Sequence, residues 1–102
     1  MMMKPSEHLK KDRLDRYVFI ATEIGFGTIQ FEYFDARCER WLCLTDTAVA
    51  YVLTKDKKTC ITTYAVERFE ELTFICGGRV PRKIQKAYKR NLEKMRKRGL
   101  TK

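Results

Sequence analysis

Long apolar runs are missing from this chain of 102 residues: the nearest approach, residues 17–21, stops at Thr22 and Glu23. A bilayer-spanning helix needs about eighteen consecutive apolar positions, so none is expected here. The first residues, Met1-Met2-Met3-Lys4-Pro5-Ser6-Glu7, hold neither an apolar stretch nor a small-residue cleavage site, and a cytoplasmic protein is therefore expected rather than a secreted one. Histidine and tryptophan occur once each, proline twice and glycine five times. With so few breakers and 44% apolar side chains, the chain reads as one folded domain over residues 1–102 rather than two domains or a disordered tail. A domain of this size buries about two-thirds of its unfolded surface, which leaves little room for an enclosed dinucleotide site. No cofactor is expected.

Acidic residues are nearly absent from the last quarter. Residues 79–102 hold eleven of the 22 lysines and arginines and only Glu93 of the 13 acids, while residues 1–78 are close to neutral. A block with one carboxylate among so many cations repels itself, and an anionic partner explains it better than solvation alone. Ile84, Ala87, Tyr88, Leu92 and Met95 recur at helical spacing within it. A basic helix over residues 80–98 is expected, docked by that stripe, with Pro81 in its first turn and Gly99 ending it. Its other sides carry Arg82, Lys83, Lys86, Lys89, Arg90, Lys94, Arg96, Lys97 and Arg98 as candidate nucleic-acid contacts. Membrane-surface segments share this pattern, but here the apolar side has one aromatic and no Trp or Phe, which weakens anchoring. The expected partner is nucleic acid, with an acidic protein as the alternative and no membrane.

Ahead of the tail, Leu14, Tyr17, Val18, Ala21 and Ile24 repeat at helical spacing, so residues 6–24 are expected as a first helix with Ser6 as its cap. Residues 28–34 alternate Ile29, Phe31 and Tyr33 against Gln30 and Glu32, the period of a half-buried strand. Residues 37–45, 48–54 and 59–65 follow as further strands, separated by Asp46-Thr47 and by Lys55-Asp56-Lys57-Lys58. These make hairpins in an antiparallel sheet over residues 28–65. Residues 66–76 fit either a short helix or a last strand, and Gly77-Gly78 breaks the chain after them. The expected class is α+β: an N-terminal helix, three to four antiparallel strands and a C-terminal basic amphipathic helix, with helices on one sheet face and the other partly open.

Metal and nucleophile chemistry find little support. Cys38, Cys43, Cys60 and Cys76 lack the close pairing of zinc knuckles, so no metal site is expected and the cysteines read as small buried hydrophobes. A cysteine nucleophile needs a base beside it, and the single His8 has no accompanying motif. Gly25-Phe26-Gly27 follows a helix, the reverse of a phosphate loop's order. Metal-free phosphodiester chemistry has more to work with. His8, Arg13 and Arg16 on the first helix, Arg40, and Thr62, Thr63 and Tyr64 on the last strand could supply a base, a cation for the phosphorane and a proton donor. The same residues also serve as a frayed terminus, a solvated helix flank and ordinary strand formers.

Residues 40–64, ending in Ile61-Thr62-Thr63-Tyr64 after a strand and a charged turn, resemble the closing part of small phage- and toxin-associated domains of the barnase, EndoU, colicin and RelE-like (BECR) ribonuclease superfamily. His8 followed by Arg13 and Arg16 is similar in kind to that group's first helix, at wider spacing. The resemblance covers residues 6–66 and excludes the basic tail. It implies a helix packed on a twisted antiparallel sheet and metal-independent RNA cleavage, with His8, Arg13, Arg16, Thr62, Thr63 and Tyr64 at the scissile phosphate. The leading expectation is thus an RNA-binding protein with this endoribonuclease activity in view. The alternative is a non-enzymatic nucleic-acid-binding or protein-interaction module.

Overall fold

The computed structural model of the chain describes residues 4–5 and 14–99. In chain order its elements are β1 (Lys4–Pro5), α1 (Leu14–Phe19) continuing into a π turn (Ile20–Ile24), β2 (Ile29–Asp35), β3 (Arg40–Thr45), β4 (Val49–Thr54), β5 (Thr59–Ala65), α2 (Phe69–Ile75) and α3 (Arg82–Lys97). The fold is α+β. Strands β2 to β5 form an antiparallel meander, and β1 adds to it in parallel along β5, giving the order β1-β5-β4-β3-β2. Of the helix expected over residues 6–24, residues 6–13 lie outside the described residues.

Each hairpin turn is closed by a short polar side chain and one residue at positive φ. Thr45 Oγ1 accepts the backbone N–H groups of Thr47 and Val49 at 3.3 and 3.2 Å, beside Ala48 at φ 62°. Asp56 accepts the Thr54 hydroxyl at 2.7 Å and the Lys58 N–H at 3.0 Å. These are side-chain mimics of a backbone turn, and they set the register in which Tyr51 faces Thr63 and Cys43 faces Tyr51.

Register assigns the side chains to faces. Phe31, Leu42, Leu44, Ala50, Thr62 and Tyr64 share one face, and Trp41, Cys43, Tyr51, Leu53, Cys60 and Thr63 the other. On the first face Leu44 and Ala50 pack with Val66, with Leu72 and Ile75 of α2, and with Ile84 and Ala87 of α3. Full burial of a side chain such as Leu72 or Ile84 stabilises the fold by about 2–3 kcal/mol. On the second face Cys43, Leu53 and Cys60 form a smaller cluster with Trp41 and Tyr51. Phe26, just past the π turn, stacks on Tyr51 with ring centroids 6.0 Å apart.

The expectation of helices on one face only is therefore corrected. Phe19 of α1 packs against Ala65 and Met95, and with Phe26 it covers part of the face opposite α2. Two apolar sheet faces exist because β3 and β4 are rich in apolar residues at consecutive positions, 41–44 and 48–53, rather than strictly alternating.

Residues 66–76, open in sequence between helix and strand, fold as α2. Glu70 and Glu71 sit in its first turn, where the helix dipole favours anions, and Leu72 and Ile75 meet the core at a spacing of three. Gly77 and Gly78, at φ 74° and 107°, end it; the Gly78 N–H closes onto the Thr73 carbonyl at 2.8 Å.

Candidate nucleic-acid interface

α3 begins after Pro81, whose missing N–H is no loss at a helix start, and it stops at Gly99, φ 71°, whose N–H meets the Arg96 carbonyl at 3.1 Å. Ile84, Ala87, Asn91 and Met95 recur at spacings of three and four and are all buried. Tyr88 and Leu92 flank that stripe, half-buried. Asn91, only 2% exposed, donates from Nδ2 to the Thr47 carbonyl at 2.7 Å. Tyr88 donates its hydroxyl to the Glu67 carbonyl at 3.2 Å. The helix is thereby seated on the β3–β4 turn and on the segment ahead of α2.

Four cations of this region are engaged within the protein. Lys83 pairs with Asp46 at 3.2 Å, Lys97 with Glu93 at 3.9 Å, and Arg98 with Glu23, while Lys94 donates to the Glu23 carbonyl at 2.7 Å. Asp46 is held below the usual carboxylate range, first by the Thr28 N–H and then by Lys83. The other cations stand apart. Among the described residues, the side chains of Arg79, Arg82, Lys86, Lys89, Arg90 and Arg96 are exposed and make no hydrogen bond or ion pair.

At about 100° per residue, Arg82, Lys86, Lys89, Arg90 and Arg96 fall within roughly a third of the circumference, opposite the buried stripe. From Arg82 to Arg96 this gives a row about 21 Å long. Arg82 and Lys83 occupy the first turn, which holds no acid. Cations there oppose the helix dipole, so this sequence gives up some helix stability to extend the positive row to its N-terminal end.

Of the residues singled out for phosphodiester chemistry, Arg16, Arg40, Thr62, Thr63 and Tyr64 fall within the described residues. His8 and Arg13 lie outside the described residues, and Arg16 lies on α1. Thr62 and Tyr64 share a sheet face, but Thr63 points to the other, where it is buried and donates to the Ala50 carbonyl at 2.9 Å. Tyr64 donates its hydroxyl to the Glu71 carboxylate of α2. The Thr62 hydroxyl is buried without a hydrogen-bond partner among the described residues. Arg40 opens β3 at the surface.

No family model, curated protein or solved structure matches the chain.

The cysteines divide. Cys43 and Cys60 are buried on the second sheet face, and burial pushes both thiols up to about 11. Cys38 is exposed in the β2–β3 turn, which corrects its reading as a buried hydrophobe. No group of three or more His, Cys, Asp or Glu side chains converges among the described residues. Sequence reasoning passed over Asn91, the one polar residue on the seating stripe, and Glu71, the partner of Tyr64. Asn91 had a signal, since it falls four residues after Ala87 and four before Met95. Glu71 had none without the position of α2.

Proposed function

We propose that this protein binds nucleic acid along the outward side of α3, holding the phosphate backbone by charge, with RNA the favoured polymer. The observation that carries this reading is the set of six cations without a partner among the described residues, Arg79, Arg82, Lys86, Lys89, Arg90 and Arg96, on and just ahead of a helix whose opposite side is locked into the core. A row held in place against the fold meets a polyanion without first being ordered, and phosphate neutralisation releases counterions. RNA is preferred to DNA because of the resemblance carried by residues 40–64.

Titration of labelled RNA by fluorescence anisotropy across a salt series tests the proposal. Six phosphate contacts on a single strand give a log–log slope of about −4. Absence of binding in dilute buffer, or a slope near zero, overturns it. RNA cleavage is the second reading and rests on the resemblance of residues 40–64, since the Thr62 hydroxyl is buried on the core side of the sheet and Tyr64 is bonded to Glu71. Its mark is fragments ending in cyclic phosphate, formed from RNA in excess chelator.

A further inference from the structure

Two of the large apolar side chains most open to solvent touch each other. Phe74, on the last turn of α2, is 57% exposed, and Tyr33, on β2, is 38% exposed. Their rings meet edge to face, with centroids 4.9 Å apart and planes at 70°. β2 is the outermost strand of the sheet, so the pair stands at its rim. A solvent-facing aromatic pair is costly to leave uncovered and marks a contact surface more often than a lone exposed leucine does.

An arginine without a partner among the described residues follows Phe74 closely along the chain. The Gly78 N–H is bonded to the Thr73 carbonyl at 2.8 Å and the Gly77 N–H to the Phe74 carbonyl at 3.3 Å. Arg79 therefore stands one residue beyond the turn that carries Phe74. The α3 row opens three residues later at Arg82. From the strand side, Arg37 follows β2 and is engaged by Asp35 at 3.3 Å. An apolar protein surface would suit the rings but not Arg79 and the α3 row that follow them. A nucleic acid suits both, since it presents flat bases and phosphates side by side.

We propose that Tyr33 and Phe74 form a platform on which an unpaired base stacks, while neighbouring phosphates run onto Arg79 and the α3 row, so that the polymer taken is single-stranded. This rests on the phosphate-binding reading above and specifies its substrate. A duplex hides the faces of its bases against one another, whereas a single strand can splay them onto aromatic rings. Phe74 carries no polar group, so the platform accepts any base and confers no sequence preference.

The test compares a short mixed-sequence single strand, an abasic strand of the same length and a blunt RNA duplex, each titrated by anisotropy against the parent protein, Phe74→Leu and Phe74→Trp. Leucine keeps the apolar cover and removes the flat ring; tryptophan restores it. Phe74→Leu is expected to bind the single strand about 5- to 100-fold more weakly, with the abasic strand, the duplex and the salt slope unchanged. Phe74→Trp binds the single strand at least as tightly as the parent. Equal losses on single and abasic strands, or no loss on the single strand, overturn the platform and leave the rings to a protein partner. A parent protein that binds none of the three overturns the phosphate-binding reading itself, and the platform with it.

Discussion

Replacing Asn91 measures how firmly the cationic helix is seated. The amide is 2% exposed and its Nδ2 lies 2.7 Å from the Thr47 carbonyl, linking the middle of α3 to the β3–β4 turn. Asn91→Ala removes that bond and strands a half-buried carbonyl, a loss of about 1–2 kcal/mol. Alanine is the better helix former by about 0.5 kcal/mol, so the net destabilisation is about 1 kcal/mol. For a domain near one hundred residues this lowers Tm by about 4–8 °C. Asn91→Asp is expected to be worse at neutral pH, because a carboxylate cannot donate to the carbonyl and is buried unpaired. Burial raises the folded pKa of that introduced carboxyl above its unfolded value. The deficit of Asn91→Asp relative to Asn91→Ala therefore shrinks as pH falls and the protonated group regains a donor. Thermal unfolding followed by circular dichroism gives the ranking. An alanine variant melting with or above the parent, or an aspartate variant indistinguishable from it at neutral pH, refutes the claim that Asn91 seats the helix.

Charge removal should separate engaged cations from free ones. Lys89→Gln is expected to flatten the salt slope of RNA binding by about 0.7, and Lys83→Gln, already paired with Asp46 at 3.2 Å, by less; equal slopes contradict the division. In a thiol-labelling time course on folded protein, Cys38 is expected to react fast, and Cys43 and Cys60 only on unfolding; fast labelling of either buried thiol contradicts this. Those two thiols also make stability fall as pH rises from about 9 towards 11, because the unfolded thiols ionise first while the folded ones stay protonated; a flat urea midpoint over that interval counts against their burial. Gly27 has φ 72°, and a Cβ there would stand 2.4 Å from Asp46 Oδ1. Gly27→Ala is therefore expected to cost about 1–3 kcal/mol, and an unchanged Tm refutes the close approach.

Much of the architecture was legible because the local signals agree with the packing. In residues 28–34 the alternation holds at Phe31, on the core side of β2, while a bulge turns Ile29 to the second face and Tyr33 stays exposed; the charged turn at residues 55–58 closes the β4–β5 hairpin, and the stripe from Ile84 to Met95 is the buried side of α3. Where local and tertiary demands compete, legibility fails. Thr73, Phe74 and Ile75 favour a strand by type, yet Leu72 and Ile75 have an apolar sheet to cover, and covering it requires helical spacing. The parallel pairing of Lys4 with Thr59 spans more than fifty positions and leaves no periodic trace. The candidate interface divides likewise. The cationic row is written in composition, whereas which cations are already paired depends on Asp46 and Glu23, distant in sequence and brought alongside only by the fold.

Because Ile84 and Ala87 close the same cluster as Leu44 and Ala50, the positive charge here belongs to no detachable appendage. Cutting it away would uncover the sheet, so loss of binding in a truncated chain would be indistinguishable from collapse. The same arrangement frees the outward positions: Arg82, Lys86, Lys89, Arg90 and Arg96 can be exchanged singly while the inward stripe keeps the molecule folded. Outward charge and foldedness thus sit on opposite sides of a single element, and the strength of one can drift without endangering the other.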